Sequence, residues 1–230
     1  ESLVPVMALR MELEASNLAL ECLLETYLGE KAAERVLQGE FKRGAGQLIS
    51  GVIWTCDLRG FTALADSQPI ETVLALLDEY FECVADPFVA AGGEVLNISG
   101  DAVLGIFPFG DDETATRMKA LDASRHAFTR AEAFNDLRKA KSRPTIHFGI
   151  CLHVGDVMLG NIGASGRLDF TIIGTAVNTA CRLESLCKEL QSPMLTTRAF
   201  LSQLEDVPVR ALGPVNLRGI ADPIDVFAFE

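Results

Sequence analysis

Apolar residues near the start of the chain recur at helical spacing. Within residues 6–28 they fall three, four and seven positions apart along one stripe, which predicts an amphipathic helix. A shorter helix is predicted over 30–38, where a glycine follows. Residues 41–47 combine basic residues with glycines, a composition typical of a linker. We therefore expect an N-terminal helical arm, 1–47, followed by a main domain, 48–230.

The main domain alternates short apolar runs with longer amphipathic stretches. Two of the short runs flank Gly100-Asp101, a two-residue turn of the kind that joins the strands of a β-hairpin. In order, the pattern predicts a strand at 48–56, a helix at 69–91, strands at 94–99 and 102–107, a helix at 112–137 and a strand at 145–154. This order is the split βαβ, ferredoxin-like pattern, so the expected fold class is α+β. Beyond it, strands are predicted at 157–160 and 168–173, a helix at 176–190, and strands at 207–212, 215–218 and 224–229.

Composition and charge narrow the functional classes. Hydrophobic residues make up 49% of the 230 residues, which is enough apolar material for a folded core. The net charge of −12 argues against nonspecific binding to nucleic acid or to anionic membranes, because both need a basic surface. The acidic excess is concentrated in 51–110, where nine acidic residues accompany a single basic residue, Arg59. That stretch is therefore the first place to look for carboxylates with a chemical role.

The cysteines and the hydropathy bear on location. The six cysteines show no paired spacing, which is typical of reduced thiols in a cytoplasmic protein. The sequence contains no apolar run of about 18–20 residues that could cross a bilayer. The chain begins at Glu1 rather than Met, so we expect it to be part of a longer protein.

Two carboxylates are expected to meet at one edge of the sheet. Asp57 follows the first predicted strand and Asp101 sits in the hairpin turn, and these strands lie side by side in a split βαβ sheet. Facing carboxylates repel unless a cation lies between them, and Mg²⁺ and Mn²⁺ prefer such oxygen ligands. On spacing alone, a metal site and two ordinary turn residues are equally supported.

Two other groups of residues could contact a phosphorylated ligand. Gly60, Phe61 and Thr62 follow Asp57 directly, and a glycine there lets backbone N–H groups approach phosphate closely. Asn178 and Arg182 are four residues apart on a predicted helix and so share a face, where an amide and a guanidinium would suit phosphoryl transfer. By spacing alone, an ordinary turn and a solvent-exposed pair remain the simpler interpretations.

Taken together, three segments in this order are far more specific than any one of them. They are Asp57-Leu-Arg-Gly-Phe-Thr62, Ser99-Gly-Asp101-Ala-Val-Leu, and Gly174-Thr-Ala-Val-Asn-Thr-Ala-Cys-Arg-Leu-Glu184. They resemble the signatures of the class III nucleotidyl cyclase catalytic domain, over about residues 48–230. The N-terminal helices resemble the linker that couples such domains to an upstream sensor domain.

The resemblance implies a metal-dependent homodimer whose active sites are built from both chains. It implies that Asp57 and Asp101 bind two divalent cations, Mg²⁺ or Mn²⁺, with the Leu58 carbonyl as an added ligand. It also implies that Asn178 and Arg182 of the opposite chain position the ribose and stabilise the transition state. Residues that match substrate-binding positions of the family are Gly60, Phe61, Thr62, Asn97, Thr171 and Arg218. The implied reaction is conversion of ATP to 3′,5′-cyclic AMP and pyrophosphate.

Of the two positions expected to read the base, one resembles a known adenylyl cyclase subgroup and the other departs from the family pattern. Thr171 resembles the subgroup of adenylyl cyclases that carries Thr or Ser at this position. Asn97 stands where adenylyl cyclases usually carry lysine, and losing a charge-assisted hydrogen bond there costs about 1.5–3 kcal/mol. ATP is therefore the expected substrate, with GTP left open. The alternative is a degenerate cyclase-like domain that binds nucleotide or a partner chain for regulation, with little turnover.

Overall fold

The computed structural model describes residues 4–39, 42, 44, 46–164 and 166–229. Its helices are α1 (Val4–Leu28), α2 (Glu30–Leu37), α3 (Phe61–Ser67), α4 (Ile70–Ala90), α5 (Glu113–Ala140), α6 (Thr175–Ser185) and α7 (Arg198–Leu201). Its strands are β1 (Gly46–Leu58), β2 (Glu94–Ser99), β3 (Ala102–Pro108), β4 (Phe148–Ala164), β5 (Arg167–Ile173), β6 (Met194–Thr197), β7 (Val209–Val215) and β8 (Ile224–Phe229). The contacts divide the chain into two units, 1–46 with 160–171, and 47–159 with 172–230.

The larger unit contains most of an eight-stranded sheet in the order β2-β3-β1-β4-β6-β8-β7, with β5 pairing β4. The first four strands of this order, together with α4 and α5, form the predicted ferredoxin-like core, so the α+β class is confirmed. The hairpin of β2 and β3 is antiparallel, and β3 also pairs antiparallel with β1. This order places the end of β1 beside the hairpin turn.

Residues 51–56 of strand β1 are buried on both faces, which explains why this part of the strand is almost entirely apolar. Trp54 and Cys56 point into a cluster that includes residues of α4 and α5, such as Tyr80 and Leu121. On the opposite face, Thr55 Oγ1 donates to the Ala180 carbonyl of α6 at 3.4 Å. The central strand is therefore held by helices on both sides, and residues at its end are fixed in position.

The hairpin is held against α4 by close packing of one aromatic ring. Phe88 packs edge-on against Phe107, with their ring centroids 4.6 Å apart. A side chain at Gly105 would bring its Cβ within 2.4 Å of the Phe88 ring, so only glycine fits there. This contact fixes the hairpin, and with it the turn at Gly100-Asp101.

The smaller unit contains α1, α2 and the segment 160–171. In α2, Ala32 and Ala33 are buried, and the Arg35 guanidinium lies 5.4 Å from the centre of the Phe170 ring. The Gly44 amide donates to the Asn161 carbonyl at 3.1 Å. The predicted helices of the arm are confirmed, whereas parts of the predicted linker lie outside the described residues.

Several sequence-based boundaries were wrong. The strands predicted at 145–154 and 157–160 are one strand, β4, because Asp156 does not turn the chain but faces outward and accepts a hydrogen bond from Ser50. The predicted strand at 215–218 is absent, and β7 ends at Val215. Helix α6 stops at Ser185 rather than near 190. The short elements α3, β6 and α7 were not predicted, since their few residues carry no clear periodicity.

Candidate active site

The structure brings Asp57 and Asp101 together as expected. Cys56 pairs with Val103 across β1 and β3, so the residues next to them, at the end of β1 and in the hairpin turn, share one edge. Burial, together with the neighbouring Asp57 carboxylate within hydrogen-bonding reach, raises the pKa of Asp101 from 3.8 to about 6. Two carboxylates in this arrangement repel each other. They fit a divalent cation, since a cation between them removes the repulsion.

Tyr80, on α4, secures the position of Asp101. Its hydroxyl donates to the Asp101 carbonyl at 3.0 Å and contacts the Cys56 sulfur at 3.3 Å. Tyr80 is fully buried, and its hydroxyl contacts both the end of β1, next to Asp57, and the hairpin turn at Asp101. Sequence reasoning missed Tyr80, because its spacing along α4 marks it only as one more residue of the apolar face.

The turn after Asp57 leads directly into helix α3. Leu58 is buried, and Gly60 adopts a left-handed conformation at φ 73°, which favours glycine. A Cβ at Gly60 would meet nothing within 4 Å, so the space beside this turn is open. Phe61 is half-buried and Thr62 exposed at the start of α3. The backbone N–H groups of this first helical turn have no partner within the helix.

Arg59 extends from this turn to helix α6. Its Nη2 lies 2.6 Å from Glu184 Oε1 and 3.3 Å from the Glu184 carbonyl oxygen, and its backbone N–H donates to the His147 carbonyl at 2.6 Å. A Cβ at Gly149 would lie only 1.8 Å from the Arg59 Nη2, so the guanidinium occupies the space that a side chain at position 149 would need. Burial raises the pKa of Glu184 to about 7, although the positive charge of Arg59 acts in the opposite direction. Sequence reasoning missed the pair, although Glu184 ends the third signature segment.

Helix α6 carries Asn178 and Arg182 as expected. Asn178 is exposed, and Arg182 lies one turn further along the helix. The Arg182 guanidinium packs beside Gly219, where an added Cβ would come within 3.2 Å of it. The structure therefore also brings Arg182 close to the loop that contains Arg218, which is exposed. Within the described part of the chain, no side-chain hydrogen bond or ion pair engages Asn178, Arg182 or Arg218.

Asn97 lies on β2 where the strand is irregular. The pairing with β3 shifts between Val95 and Asn97, a β-bulge that re-aims the side chains after it. Asn97 lines a cavity of about 310 Å³ together with Asp57, Ser99, Cys181 and Glu184. This cavity is large enough for a planar base and carries polar groups on its wall.

Thr171 belongs to the smaller unit, where it lies half-buried on β5. A larger cavity, of about 760 Å³, lies elsewhere in the larger unit, between α5, the start of β4 and the end of α6. Arg59 and Gly60 line it from the back of the turn, and its wall also includes Phe148 and Pro193. We assign the site to the smaller cavity, because Asp57 lines it.

Comparisons with known proteins agree on one class, the nucleotidyl cyclase domains. The chain belongs to the family described as "Adenylate and Guanylate cyclase catalytic domain", which matches residues 51–230. It is 31% identical over 193 residues to an adenylate cyclase of Anabaena cylindrica, covering 80% of this chain and 37% of the relative. It is 29% identical over 172 residues to adenylate cyclase 1 of Rhizobium meliloti (strain 1021), covering 74% of this chain and 26% of the relative. The chain thus spans about a quarter to a third of these relatives.

A solved structure extends the likeness over nearly the whole chain. A bacterial light-regulated adenylyl cyclase superposes with a TM-score of 0.82 at 25% identity, covering 99% of this chain and 65% of that one. The resemblance to the class III cyclases is therefore confirmed for the fold and the family. In the part of the chain that the structure describes, no helix has the length and apolar character needed to cross a membrane.

Proposed function

We propose that this chain is the catalytic part of an adenylyl cyclase that converts ATP to 3′,5′-cyclic AMP and pyrophosphate. The observation that carries the proposal is the apposition of Asp57 and Asp101 at the hairpin edge, with the pKa of Asp101 raised to about 6. The family matched over 51–230 and the two relatives named as adenylate cyclases support it. In the reaction, O3′ of the ribose bonds to the α-phosphorus, the bond to the β-phosphate oxygen breaks, and the 3′-hydroxyl proton is released.

Asp57, Asp101 and the Leu58 carbonyl are the residues that would hold the cations. Two Mg²⁺ or Mn²⁺ ions bound there would lower the pKa of the 3′-hydroxyl and neutralise negative charge on the triphosphate. Tyr80 keeps the Asp101 turn in place through its 3.0 Å hydrogen bond. The carboxylates are thus presented by a rigid sheet edge rather than by a mobile loop, which favours a fixed geometry.

The remaining residues bind and orient the nucleotide. Gly60, Phe61 and Thr62 offer backbone N–H groups to the triphosphate, and Asn178 orients the ribose. Arg182 stabilises the charge that develops on the transferring phosphoryl group, because a guanidinium donates to several oxygens at once. In the proposal, Arg218 is a further triphosphate contact, and Asn97 and Thr171 read the base.

We propose that each active site combines residues of two copies of the chain. Within one chain, Arg182 packs beside Gly219, whereas Arg59 is the cation next to the carboxylates. The donors of Asn178, Arg182 and Arg218 are therefore available for a nucleotide held by the carboxylates of another copy. The arm, 1–47, is then the connection to an upstream sensor domain, and a boundary near residue 47 stays a prediction.

An activity assay tests the proposal. Purified protein is incubated with ATP or GTP and with Mn²⁺ or Mg²⁺, over a wide range of protein concentrations, and cyclic product is measured. We expect cyclic AMP, with specific activity that falls on dilution because a shared site needs the dimer. The matched control is Asp101→Ala. The absence of cyclic nucleotide above this control at every concentration would refute the proposal.

Asn97 favours a second candidate, a regulatory domain that binds nucleotide with little turnover. Its side chain is exposed on the cavity wall, where its amide can both donate and accept hydrogen bonds but carries no charge. The variant Asn97→Lys distinguishes the two candidates. A steep rise of ATP turnover from near zero identifies the parent as a poor catalyst, whereas a small change identifies Asn97 as a working base-reading residue.

A further inference from the structure

A buried ion pair connects the two catalytic elements of the larger unit. Arg59 follows Leu58 directly in the β1–α3 turn, and Glu184 lies two residues after Arg182 on α6. The guanidinium makes two contacts with the same residue, to the carboxylate at 2.6 Å and to the carbonyl at 3.3 Å. Since Leu58 and Asp57 immediately precede Arg59, the pair acts on the backbone that presents the carboxylate.

The helix end of this pair is the fixed one. The Glu184 side chain is 6% exposed and the Arg59 side chain 24%. Helix α6 is anchored independently, because Ala180 and Leu183 are fully buried and Thr55 donates to the Ala180 carbonyl. The turn, by contrast, passes through a left-handed glycine with open space beside it. Releasing the ion pair therefore frees the turn more than the helix.

Gly149, on β4, leaves room for the Arg59 guanidinium because it has no side chain. Any side chain at Gly149 would place its Cβ 1.8 Å from Arg59 Nη2 and 2.9 Å from Glu184 Oε1. The backbone of strand β4 therefore lies close to both partners at Gly149. A buried ion pair is by itself weak evidence for a gain in stability, so its placement calls for another explanation.

We propose that Glu184 is a positioning residue for the metal-binding turn, acting through Arg59. The inference rests on the proposed function. It has a consequence for the dimer: Asn178 and Arg182 of one helix serve the active site formed with the partner's carboxylates. Glu184 of that same helix serves the other active site, because it holds Asp57 and Leu58 of its own chain. Each α6 then contributes to both active sites.

A binding measurement tests the positioning role without relying on turnover. Mn²⁺ alone is titrated into the full chain and bound metal is measured by electron paramagnetic resonance. We expect Glu184→Ala to weaken Mn²⁺ binding about tenfold, the size typical of a lost outer-shell partner. Glu184→Gln, which keeps an acceptor for Arg59, restores part of the affinity. Arg59→Ala releases the same turn and weakens binding equally.

The matched control breaks a comparable ion pair away from the site. Glu79 on α4 pairs with the buried Arg138 on α5. Glu79→Ala is expected to lower the melting temperature but to leave Mn²⁺ affinity unchanged. Unchanged Mn²⁺ affinity in both folded Glu184→Ala and Arg59→Ala overturns the proposal, as does an equal loss of affinity in Glu79→Ala.

Mixed dimers test which active site Glu184 serves. One chain carries Asp57→Ala and Asp101→Ala, and the other carries Asn178→Ala and Arg182→Ala, so a tagged heterodimer retains a single complete site. Adding Glu184→Ala to the chain with intact carboxylates is expected to lower activity and raise the Mn²⁺ concentration required. Adding it to the other chain leaves both unchanged. Equal losses, or a loss only in the second arrangement, overturn the inference.

The two failures remain distinguishable. If the heterodimer with intact Glu184 makes no cyclic product, the shared-site function fails and the assignment of Glu184 to one of two sites fails with it. If that heterodimer is active but the position of Glu184→Ala makes no difference, the function stands and the positioning role is wrong.

Discussion

Removing the charge of Asp101 should stabilise the metal-free protein while abolishing its activity. In the fold, Asp101 is part-buried next to Asp57, and burial together with this neighbour raises its pKa from 3.8 to about 6. Ionisation of Asp101 therefore costs free energy in the folded state, whereas in the unfolded chain this cost is absent. Asp101→Asn removes the penalty and keeps the shape of the side chain, and the new amide can donate to the Asp57 carboxylate. The same change deletes a proposed metal ligand.

The magnitude follows from the pKa and the exposure. A pKa raised from 3.8 to about 6 corresponds to about 3 kcal/mol against the ionised form at neutral pH. Asp101 is partly open to solvent, which screens part of the repulsion, so we expect about 1–2 kcal/mol. In a chain of this size that raises the melting temperature by about 2–8 °C.

The pH dependence has a definite sign. Below pH 3.8, Asp101 is protonated in both states and the penalty is absent; it is fully present only above about pH 6. The advantage of Asp101→Asn should therefore fall to about half of its neutral value at pH 5. Thermal unfolding in chelator at pH 7.5 and at pH 5 measures it, with the exposed α4 carboxylate variant Asp78→Asn as control. Equal or lower stability of Asp101→Asn at pH 7.5, or an advantage unchanged at pH 5, would refute the reasoning. Added Mn²⁺ should stabilise the parent and not the variant.

Three further outcomes follow from single contacts. Arg182→Ala should abolish cyclic-nucleotide formation with little change in melting temperature, since its guanidinium makes no ion pair among the described residues; activity and calorimetry measure this. Tyr80→Phe should cost about 0.5–1.5 kcal/mol in urea unfolding and raise the Mn²⁺ requirement, because the Asp101 carbonyl loses its donor. Burial lowers the pKa of His153 from 6.5 to about 4. Between these pH values the unfolded chain binds a proton that the folded protein does not, so the free energy of unfolding decreases as pH falls from 6.5 to 4. Chemical unfolding across that range should therefore show a shallower decline for His153→Gln, and parallel curves would contradict the assignment.

Local patterns were sufficient to predict the carboxylate pair. An apolar run that ends at Asp57 and a hairpin turn at Asp101 are short-range signals, and the βαββαβ order then places the two strands side by side. Asn178 and Arg182 were predicted on one helix for the same reason, since helical spacing is local. Their individual catalytic roles, like those of Asn97, Thr171 and Arg218, stay predictions.

Contacts between distant parts of the chain were not predictable in the same way. Arg59 and Glu184 are 125 residues apart and meet only because Gly149 leaves room between them. Tyr80 reads as a core residue in the pattern of α4, and only the packed structure shows that its hydroxyl reaches Asp101. Strand β4 was predicted as two strands, at 145–154 and 157–160, whereas the structure has a single strand, Phe148–Ala164. Such features depend on packing, which periodicity does not encode.

The acidic character of the chain acquires a specific meaning at this site. A net charge of −12 disfavours a polyanion such as ATP, and the carboxylates at the hairpin edge repel it most directly. In the proposed site, divalent cations bound by Asp57 and Asp101 would invert the local sign of the charge, and the same cations would attract the triphosphate. The cation next to them, Arg59, is already committed to Glu184 and cannot replace the metal. Nucleotide binding should therefore collapse in chelator, and in the proposed shared site the arginine that compensates the substrate charge is Arg182 of the other copy.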